Sequence, residues 1–316
     1  MFLTVPNKHN KLLPNPKSII MKILSFNRFA ITMIVLFLAL FIFSCKKENT
    51  EAETPAVTES EAAEYSVESM EAEASYDDVQ DISMIAADEE GIISAGRGEG
   101  LRPFPFLRLR LRIGANAVIT VTPDDNTYPK TVTIDFGEGE TCPDGKFRKG
   151  KIVLHFTGPV RHSGSVVTIT LVDFQVGRVK VEGTKVITNL SENGNIRFSV
   201  QVTDGKVTYP NGRSYTYEKL KYVNQIAGGA TDEISDDVYS IEGHSKTTFK
   251  NGVVIAINTK DALIKKVSCA WISEGTLLVK VGTYEFSLYY GIPNNGDCDN
   301  EALLKWNSYE KIILLP

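Results

Sequence analysis

The stretch "FSVQVTDGKVTYPNGRSYTY", residues 198–217, alternates β-branched or aromatic residues with polar ones and contains two turn dipeptides. Asp204-Gly205 and Asn211-Gly212 are of the types that supply the positive φ angles of a tight hairpin turn. Each dipeptide is flanked by segments with strand-like alternation. The stretch therefore predicts three antiparallel strands in a meander.

The same pattern continues on both sides of this stretch. Short segments rich in Val, Ile, Thr, Phe and Tyr follow one another through residues 101–316, separated by further Asn-Gly and Asp-Gly pairs. We find no convincing helical repeat of apolar residues in this region. We predict an all-β body, an antiparallel meander that forms either a curled sheet or a two-layer sandwich.

An internal similarity raises the alternative that the body consists of two related halves. "VEGTKVITNLSENGNIRFSV" at 181–200 and "IEGHSKTTFKNGVVIAI" at 241–257 both place Glu-Gly before a polar strand, then Asn-Gly, then an apolar strand. The length does not decide between one domain and two, because all-β domains often exceed two hundred residues.

The N-terminal region has the features of an export signal. Residues 29–43, "FAITMIVLFLALFIF", form an uninterrupted apolar run after Lys22 and Arg28, and Ser44 precedes Cys45. A basic start, a short apolar core and a small residue at the cleavage site are typical of a signal peptide. We predict a signal peptide over residues 1–44, and Met21 is the start that gives it an ordinary length. The alternative is an uncleaved membrane anchor, although the run is short for a spanning helix.

The residues "IFSC", 42–45, resemble the lipobox of bacterial lipoproteins, in which the cysteine becomes the lipidated first residue. Ile42, Ser44 and Cys45 fit the three key positions, and Phe43 is bulkier than the usual occupant. With its acidic spacer and β-rich body, the chain resembles the many Bacteroidetes-type envelope lipoproteins of unknown activity. The resemblance implies a lipid anchor on Cys45 and a location in the cell envelope, at the outer membrane, with the periplasmic and the surface face both open.

Residues 45–100 run from this cysteine to the start of the body. From Glu48 to Glu90 the chain has fifteen Asp or Glu residues and no Lys or Arg. Such a segment cannot bury enough apolar surface to offset its ordering entropy, and its like charges keep it extended. We predict a disordered acidic tether, within which Val79, Ile82 and Ala86 have the spacing of a short helix that docks on the body.

The segment "FLRLRLRIG", residues 106–114, is the most unusual local pattern. In a strand its apolar residues would share one face and Arg108, Arg110 and Arg112 the other. The functional interpretation is an anion-binding ridge for lipid phosphates, acidic glycans or the acidic tether. We favour the structural interpretation, a first strand near a sheet edge whose charges discourage aggregation.

Three cysteines follow Cys45, and the exported compartment permits disulfides. We favour a bridge between Cys269 and Cys298, with Cys142 free. A bridge between Cys142 and Cys298 and a set of three buried thiols are the alternatives, because an odd number of cysteines fixes no pairing.

Two further patterns have candidate chemistry. Asp135, Glu138, Glu140 and Asp144 lie in one Gly-rich segment, but their spacing matches no known calcium loop, so we interpret the segment as a bend between strands. His162 lies beside Ser163 in a predicted turn, and sequence adjacency is not the geometry of a catalytic pair. We predict no metal, no cofactor and no catalytic constellation.

The charge balance limits the partners. From Arg97 onward the chain has 27 Lys or Arg and 24 Asp or Glu, so the body has no strongly basic character and we predict no nucleic-acid binding. The leading functional hypothesis is a non-enzymatic, membrane-anchored binding or scaffolding protein whose partner is an envelope protein, a glycan or a lipid. A carrier of lipid or lipopolysaccharide is the alternative, and an enzyme that acts on polysaccharide comes third.

Overall fold

A computed structural model describes residues 55–89, 106–229, 231, 234–292, 295–307 and 309–314. Thr54–Pro316 belong to one compact unit. The predicted signal peptide, Cys45 and the segment after Glu89 up to residue 105 lie outside the described residues.

The body is a single antiparallel sheet of fourteen strands, which confirms the predicted all-β curled sheet and not the two-layer sandwich. The strands pair in chain order from β1 to β14, except that the short β3 pairs with β4 beside β2. The first and last strands are not paired with each other, so the sheet is open. The strands are β1 (Val118–Thr122), β2 (Lys130–Asp135), β3 (Glu140–Thr141), β4 (Phe147–Phe156), β5 (Val166–Val176), β6 (Val179–Asn189), β7 (Arg197–Thr208), β8 (Ser214–Ala227), β9 (Val238–Phe249), β10 (Val254–Lys266), β11 (Glu274–Val281), β12 (Tyr284–Tyr290), β13 (Glu301–Trp306) and β14 (Tyr309–Leu314).

The strands alternate buried and exposed residues as the sequence pattern predicts. In β4, Ile152, Leu154 and Phe156 are buried while Lys151 and His155 are exposed. Successive side chains of a strand point to opposite faces, so one face of the sheet packs on the core and the other faces water.

The dipeptide Asp204-Gly205 does not form the predicted turn. Both residues lie inside β7, where the pairing register with β8 shifts between Val202 and Gly205. Asp204 has a φ of 52°, and a Cβ on Gly205 would lie 2.3 Å from the carbonyl oxygen of Tyr217. The dipeptide therefore provides the positive φ and the close approach of a β-bulge. Asn211-Gly212 is the hairpin turn, so the stretch at 198–217 contains two strands and not three.

The acidic segment predicted to be a flexible tether is a helix, α1 (Glu59–Glu89), of 31 residues. Thr58 and Glu61 form a capping box, in which the Thr58 N–H donates to Glu61 Oε2 at 2.8 Å and the Glu61 N–H donates to Thr58 Oγ1 at 3.3 Å. The helix buries a stripe of mainly small residues: Ala62, Ser66, Ser69, Ala72, Tyr76, Val79, Ile82, Ser83 and Ala86. The prediction of disorder was wrong for this segment, because small side chains let the helix pack closely against the sheet. The predicted docking helix is confirmed in a longer form, since Val79, Ile82 and Ala86 are all fully buried.

The contacts of α1 show that the sheet curls around it. Its side chains and carbonyl groups bond to residues of β4, β6, β8, β9 and β13, which are far apart in the strand order. One helix reaches all of these strands only where the sheet curves about it. We call the concave face of the sheet, from β4 to β13, the trough; α1 lies in it.

The segment predicted as an arginine-bearing strand is also a helix, α2 (Leu107–Ile113). Leu109 and Ile113, four residues apart, are buried, whereas Leu107 and Leu111 are exposed. The Glu89 carboxylate at the end of α1 accepts the N–H groups of Arg108 and Leu109, both at 2.8 Å. These contacts satisfy N–H groups that a helix start leaves unpaired, so tertiary packing overrides the strand-like alternation.

Candidate functional site

The polar centre of the trough is the candidate functional site. Lys185 of β6 and Lys219 and Lys221 of β8 face Glu73 and Asp77 of α1. We call these five residues the lysine cluster. Side chains of Lys185 and Lys219 are each 2% exposed, and buried lysines are rare unless they are paired.

Local periodicity places these residues. Tyr215, Tyr217, Lys219 and Lys221 occupy alternate positions of β8 and point into the trough, since a strand alternates its faces. Glu73 and Asp77 are four residues apart and share one face of α1. The strand period and the helix period thus bring the two sets of charges together.

The lysine cluster is held by short contacts. Lys219 Nζ donates to Asp77 Oδ1 at 2.7 Å and lies 3.4 Å from Glu73 Oε1. Lys221 Nζ also donates to Glu73. Lys185 Nζ donates to the carbonyl oxygen of Tyr76 at 2.9 Å and lies 3.8 Å from Asp77 Oδ1.

The electrostatics of the lysine cluster follow from three ammonium groups that face two carboxylates. Burial favours the neutral form of Glu73, yet Lys221 and Lys219 outweigh it and lower its pKa; the same lysines hold the pKa of the half-exposed Asp77 well below its usual value. Burial opposes ionisation of Lys219 as well, but Asp77 and Glu73 raise its pKa. Burial and the positive charge of Lys219 lower the pKa of Lys185 to about 7.

A lysine with a pKa near neutrality is able to act as a base or nucleophile. Lys185, however, lies beneath α1, and its Nζ donates a hydrogen bond to a backbone carbonyl of that helix. A substrate would reach it only after α1 leaves the trough. In the observed arrangement the lysine cluster therefore clamps an acidic helix and presents no reactive group.

A second ionic centre fixes the middle of α1. Arg148 of β4 is fully buried and donates to Asp78 of α1 at 2.8 and 3.1 Å and to Asp144 at 2.7 and 2.9 Å. Arg112 and Lys146 also donate to Asp78, at 2.9 and 3.2 Å. Burial alone would raise the pKa of Asp78, but Arg148 and the other cations hold it below its ordinary value.

The three arginines proposed as an anion-binding ridge do not line one face. Arg108 and Arg112, four residues apart on α2, approach acids of α1: Arg108 Nε lies 4.0 Å from Glu89, and Arg112 bonds Asp78. Arg110 donates instead to the carbonyl oxygens of Ala115 and Ala117. Of the ligands considered for this segment, the acidic segment of the chain itself is the one in contact.

The four acids of the Gly-rich segment at 134–145 point to separate partners. Asp135 bonds Lys151 at 2.7 Å, Glu138 bonds Lys149 at 2.7 Å, and Glu140 accepts from Asn116 at 2.8 Å, while Asp144 binds Arg148. The segment is a bend between strands. In the described part of the chain, no group of three or more His, Cys, Asp or Glu residues is arranged to hold a metal ion.

A disulfide joins Cys269 and Cys298, whose Cα atoms are 5.4 Å apart, and Cys142 is a free, buried cysteine. This is the pairing favoured by the sequence analysis. Burial raises the pKa of the Cys142 thiol, so the thiol stays protonated at neutral pH.

The remaining candidates lie apart from the trough. His162 and Ser163 are in the β4–β5 connection, where Ser163 Oγ donates to the carbonyl oxygen of Ser191 at 2.6 Å and not to a histidine. His155 contacts Thr131 across two strands on the outer face at 3.3 Å. Cys45 lies outside the described residues, and its lipidation stays a prediction.

No helix of the described residues is long and apolar enough to cross a membrane. No protein-family model, no curated protein and no solved structure matches the chain.

Neither ionic centre was predicted from the sequence. Two signals pointed to α1: the Thr58-Glu-Ser-Glu61 capping box and the Ala and Ser residues that recur at helical spacing. The lysines of β8 were visible as alternate residues of a strand, but only the curl of the sheet brings them to Glu73 and Asp77.

Proposed function

We propose that the protein is a non-enzymatic binding or scaffolding protein of the cell envelope, anchored through lipid on Cys45. The observation that carries this proposal is the clamping of α1 in the trough. Because α1 begins fourteen residues after Cys45, the intervening chain spans at most about 50 Å even when fully extended. A lipid anchor on Cys45 would therefore keep the start of α1 within about this distance of the membrane.

The ionic groups of the body support a binding role over a catalytic one. The carboxylates of both ionic centres accept bonds from lysines and arginines of the sheet, which stabilises the seat of α1. Removing one partner of a buried ion pair leaves an uncompensated buried charge, so these pairs oppose release of α1 from the trough. The surfaces that remain for a partner are the outer face and the two rims of the sheet.

The test uses the full chain in its native host. Wild type and Cys45→Ser are compared by membrane fractionation and by incorporation of radiolabelled palmitate, followed by cross-linking and capture of bound molecules. We expect wild type to incorporate label, to sediment with membranes and to capture a reproducible partner, and Cys45→Ser to lose the label and the sedimentation. Equal sedimentation of both proteins would refute the lipid anchor.

Catalysis is the outcome that would refute the binding role. Turnover of glycan, peptide or ester substrates by the purified protein, abolished by substitution of one acid or histidine, would establish an enzyme.

The carrier alternative is favoured by one observation, the apolar lining of the trough, which includes Ile255, Val279 and Leu288. A lipid would occupy this lining only after α1 leaves. Ser69 Oγ and Thr247 Oγ1 are 2.6 Å apart, so a Ser69→Cys/Thr247→Cys disulfide would lock α1 in place. If the protein is a lipid carrier, this double-cysteine variant should lose lipid uptake when its disulfide is oxidised and regain it when the disulfide is reduced. Equal uptake in both states would exclude the trough as the lipid site.

A further inference from the structure

A pocket of about 270 Å³ opens at the rim of the trough, beside α1. One wall is α1, and the β5–β6 and β7–β8 hairpins form the opposite wall. The lining combines apolar and aromatic side chains with two cationic side chains, two acidic side chains and one serine. The lining includes Val176, Val179, Tyr209, Tyr215, Lys146 and Arg178.

Arg178 is exposed at the tip of the β5–β6 hairpin, after Gly177, whose φ of 58° makes the tight turn. Its guanidinium carbon lies 5.5 Å from the ring centroid of Tyr209, a cation–π distance. Within the part of the chain that the structure describes, no carboxylate lies at ion-pair distance from Arg178. Stacking on Tyr209 positions the guanidinium of Arg178, and within the described residues its N–H groups donate no hydrogen bond.

The acids of the pocket are already engaged. Asp78 accepts from Arg148, Arg112 and Lys146 in the second ionic centre. Glu71 accepts a hydrogen bond from the hydroxyl group of Tyr209. An incoming anion therefore meets Arg178 and the half-exposed side chain of Lys146, and the two acids do not compete for Arg178.

We infer that this pocket binds a small organic anion, with one carboxylate or phosphate group and a body of about ten non-hydrogen atoms. The inference rests on the proposed binding function and names a ligand class for it. Arg178 and Lys146 hold the anionic group, since a guanidinium matches the oxygens of carboxylate and phosphate. Tyr209, Tyr215, Val176 and Val179 bury the apolar body, the arrangement typical of small-molecule sites.

The test is a ligand-observed NMR titration of the purified full chain with three probes. Phenylacetate and phenyl phosphate carry the two anionic groups, and phenylacetamide is the uncharged analogue of the first. Saturable binding of at least one anion, at least tenfold tighter than that of phenylacetamide, is expected. The tighter of the two anions identifies the headgroup as carboxylate or phosphate.

Arg178→Gln should raise the Kd of the anion at least tenfold. Arg197 provides the matched control, since its guanidinium stacks on Tyr222 at 4.8 Å at the opposite rim of the sheet. Arg197→Gln should leave the Kd unchanged. Absence of saturable binding, equal binding of phenylacetamide, or equal losses in both variants would overturn the inference.

The two proposals fail separately. A protein that sediments with membranes and captures its partner, yet binds none of the three probes, overturns the pocket alone. Loss of anchoring or capture overturns the proposed function and leaves the probe titration unaffected.

Discussion

At the scale of single residues, the charges in the trough determine how the protein responds to pH. Lys185 has a pKa of about 7 in the folded protein and an ordinary value of 10.5. Between these values the unfolded chain keeps the proton that the folded protein has released. The unfolded state then binds more protons, so the contribution of Lys185 to the free energy of unfolding rises with pH.

Lys185→Met tests this contribution. From pH 7 to pH 9, the free energy of unfolding of wild type should rise relative to that of the variant by on the order of 2 kcal/mol. Denaturant titrations of both proteins at several pH values measure the difference. A difference that is constant with pH would show that Lys185 stays charged in the folded protein.

Arg148→Met should lower the free energy of unfolding by about 3–5 kcal/mol, because it leaves the buried Asp78 with fewer positive partners. Lys149→Met is the control, since Lys149 is the next residue of β4 and its ion-pair partner among the described residues is the 97%-exposed Glu138. The control should cost at most about 1 kcal/mol in urea unfolding. Similar losses in both variants would contradict the structural role of Arg148.

At the scale of elements, α1 differs most from its sequence-based expectation. Composition alone favoured disorder, because the segment is acidic and has few large apolar residues. The sheet supplies what the segment lacks: lysines and arginines for the acids, and a concave apolar surface for the Ala and Ser stripe. The local pattern indicated only a short docking helix, and the length of α1 depends on the partners that the sheet supplies.

The close packing of α1 against the trough depends on the small residues of its buried stripe. Ala72 is fully buried, so Ala72→Leu should overpack the trough and cost about 1–3 kcal/mol. Hydrogen exchange followed by mass spectrometry should show strong protection across residues 59–89 in wild type and faster exchange in the variant. Ser60→Leu, at an exposed position near the start of α1, should leave the protection unchanged. Rapid exchange across α1 in wild type would restore the tether interpretation.

The arginine segment shows the same limit of local reasoning in the opposite direction. The Leu-Arg alternation of residues 107–113 has the period of a strand, but a seven-residue alternation also places Leu109 and Ile113 on one helix face. Contacts with Glu89 and the other acids of α1 favour the helix. None of these acids is close in sequence to all three arginines.

At the scale of the whole molecule, one sheet of fourteen strands encloses one helix. The strands pair almost entirely with their sequence neighbours, which is why alternation and turn dipeptides sufficed to predict the all-β class. The internal similarity at Glu182-Gly183 and Glu242-Gly243 falls in the middle of two strands of the same sheet, which runs without interruption through both candidate halves.

The disulfide is the one covalent crosslink within the described residues. It connects the β10–β11 and β12–β13 loops and closes 29 residues. A Cys269→Ser/Cys298→Ser variant should lose about 3.6 kcal/mol of the free energy of unfolding in the chain-entropy estimate. Thermal unfolding of the two proteins measures the loss, with Cys142→Ser as the single-cysteine control. A variant as stable as wild type would show that the loops are held by packing alone.

The sequence by itself determined the strand pattern and the antiparallel meander, because these depend on residues close together in the chain, whereas the export signal stays a prediction. Only the tertiary structure decided that the acidic segment is a helix, that the Leu-Arg segment is another, and that an Asp-Gly pair is a bulge. The two helices depend on groups brought together by the curl of the sheet, and the bulge depends on the pairing of β7 with β8. Charged and small side chains of α1 contact partners that lie up to 247 residues away in the sequence.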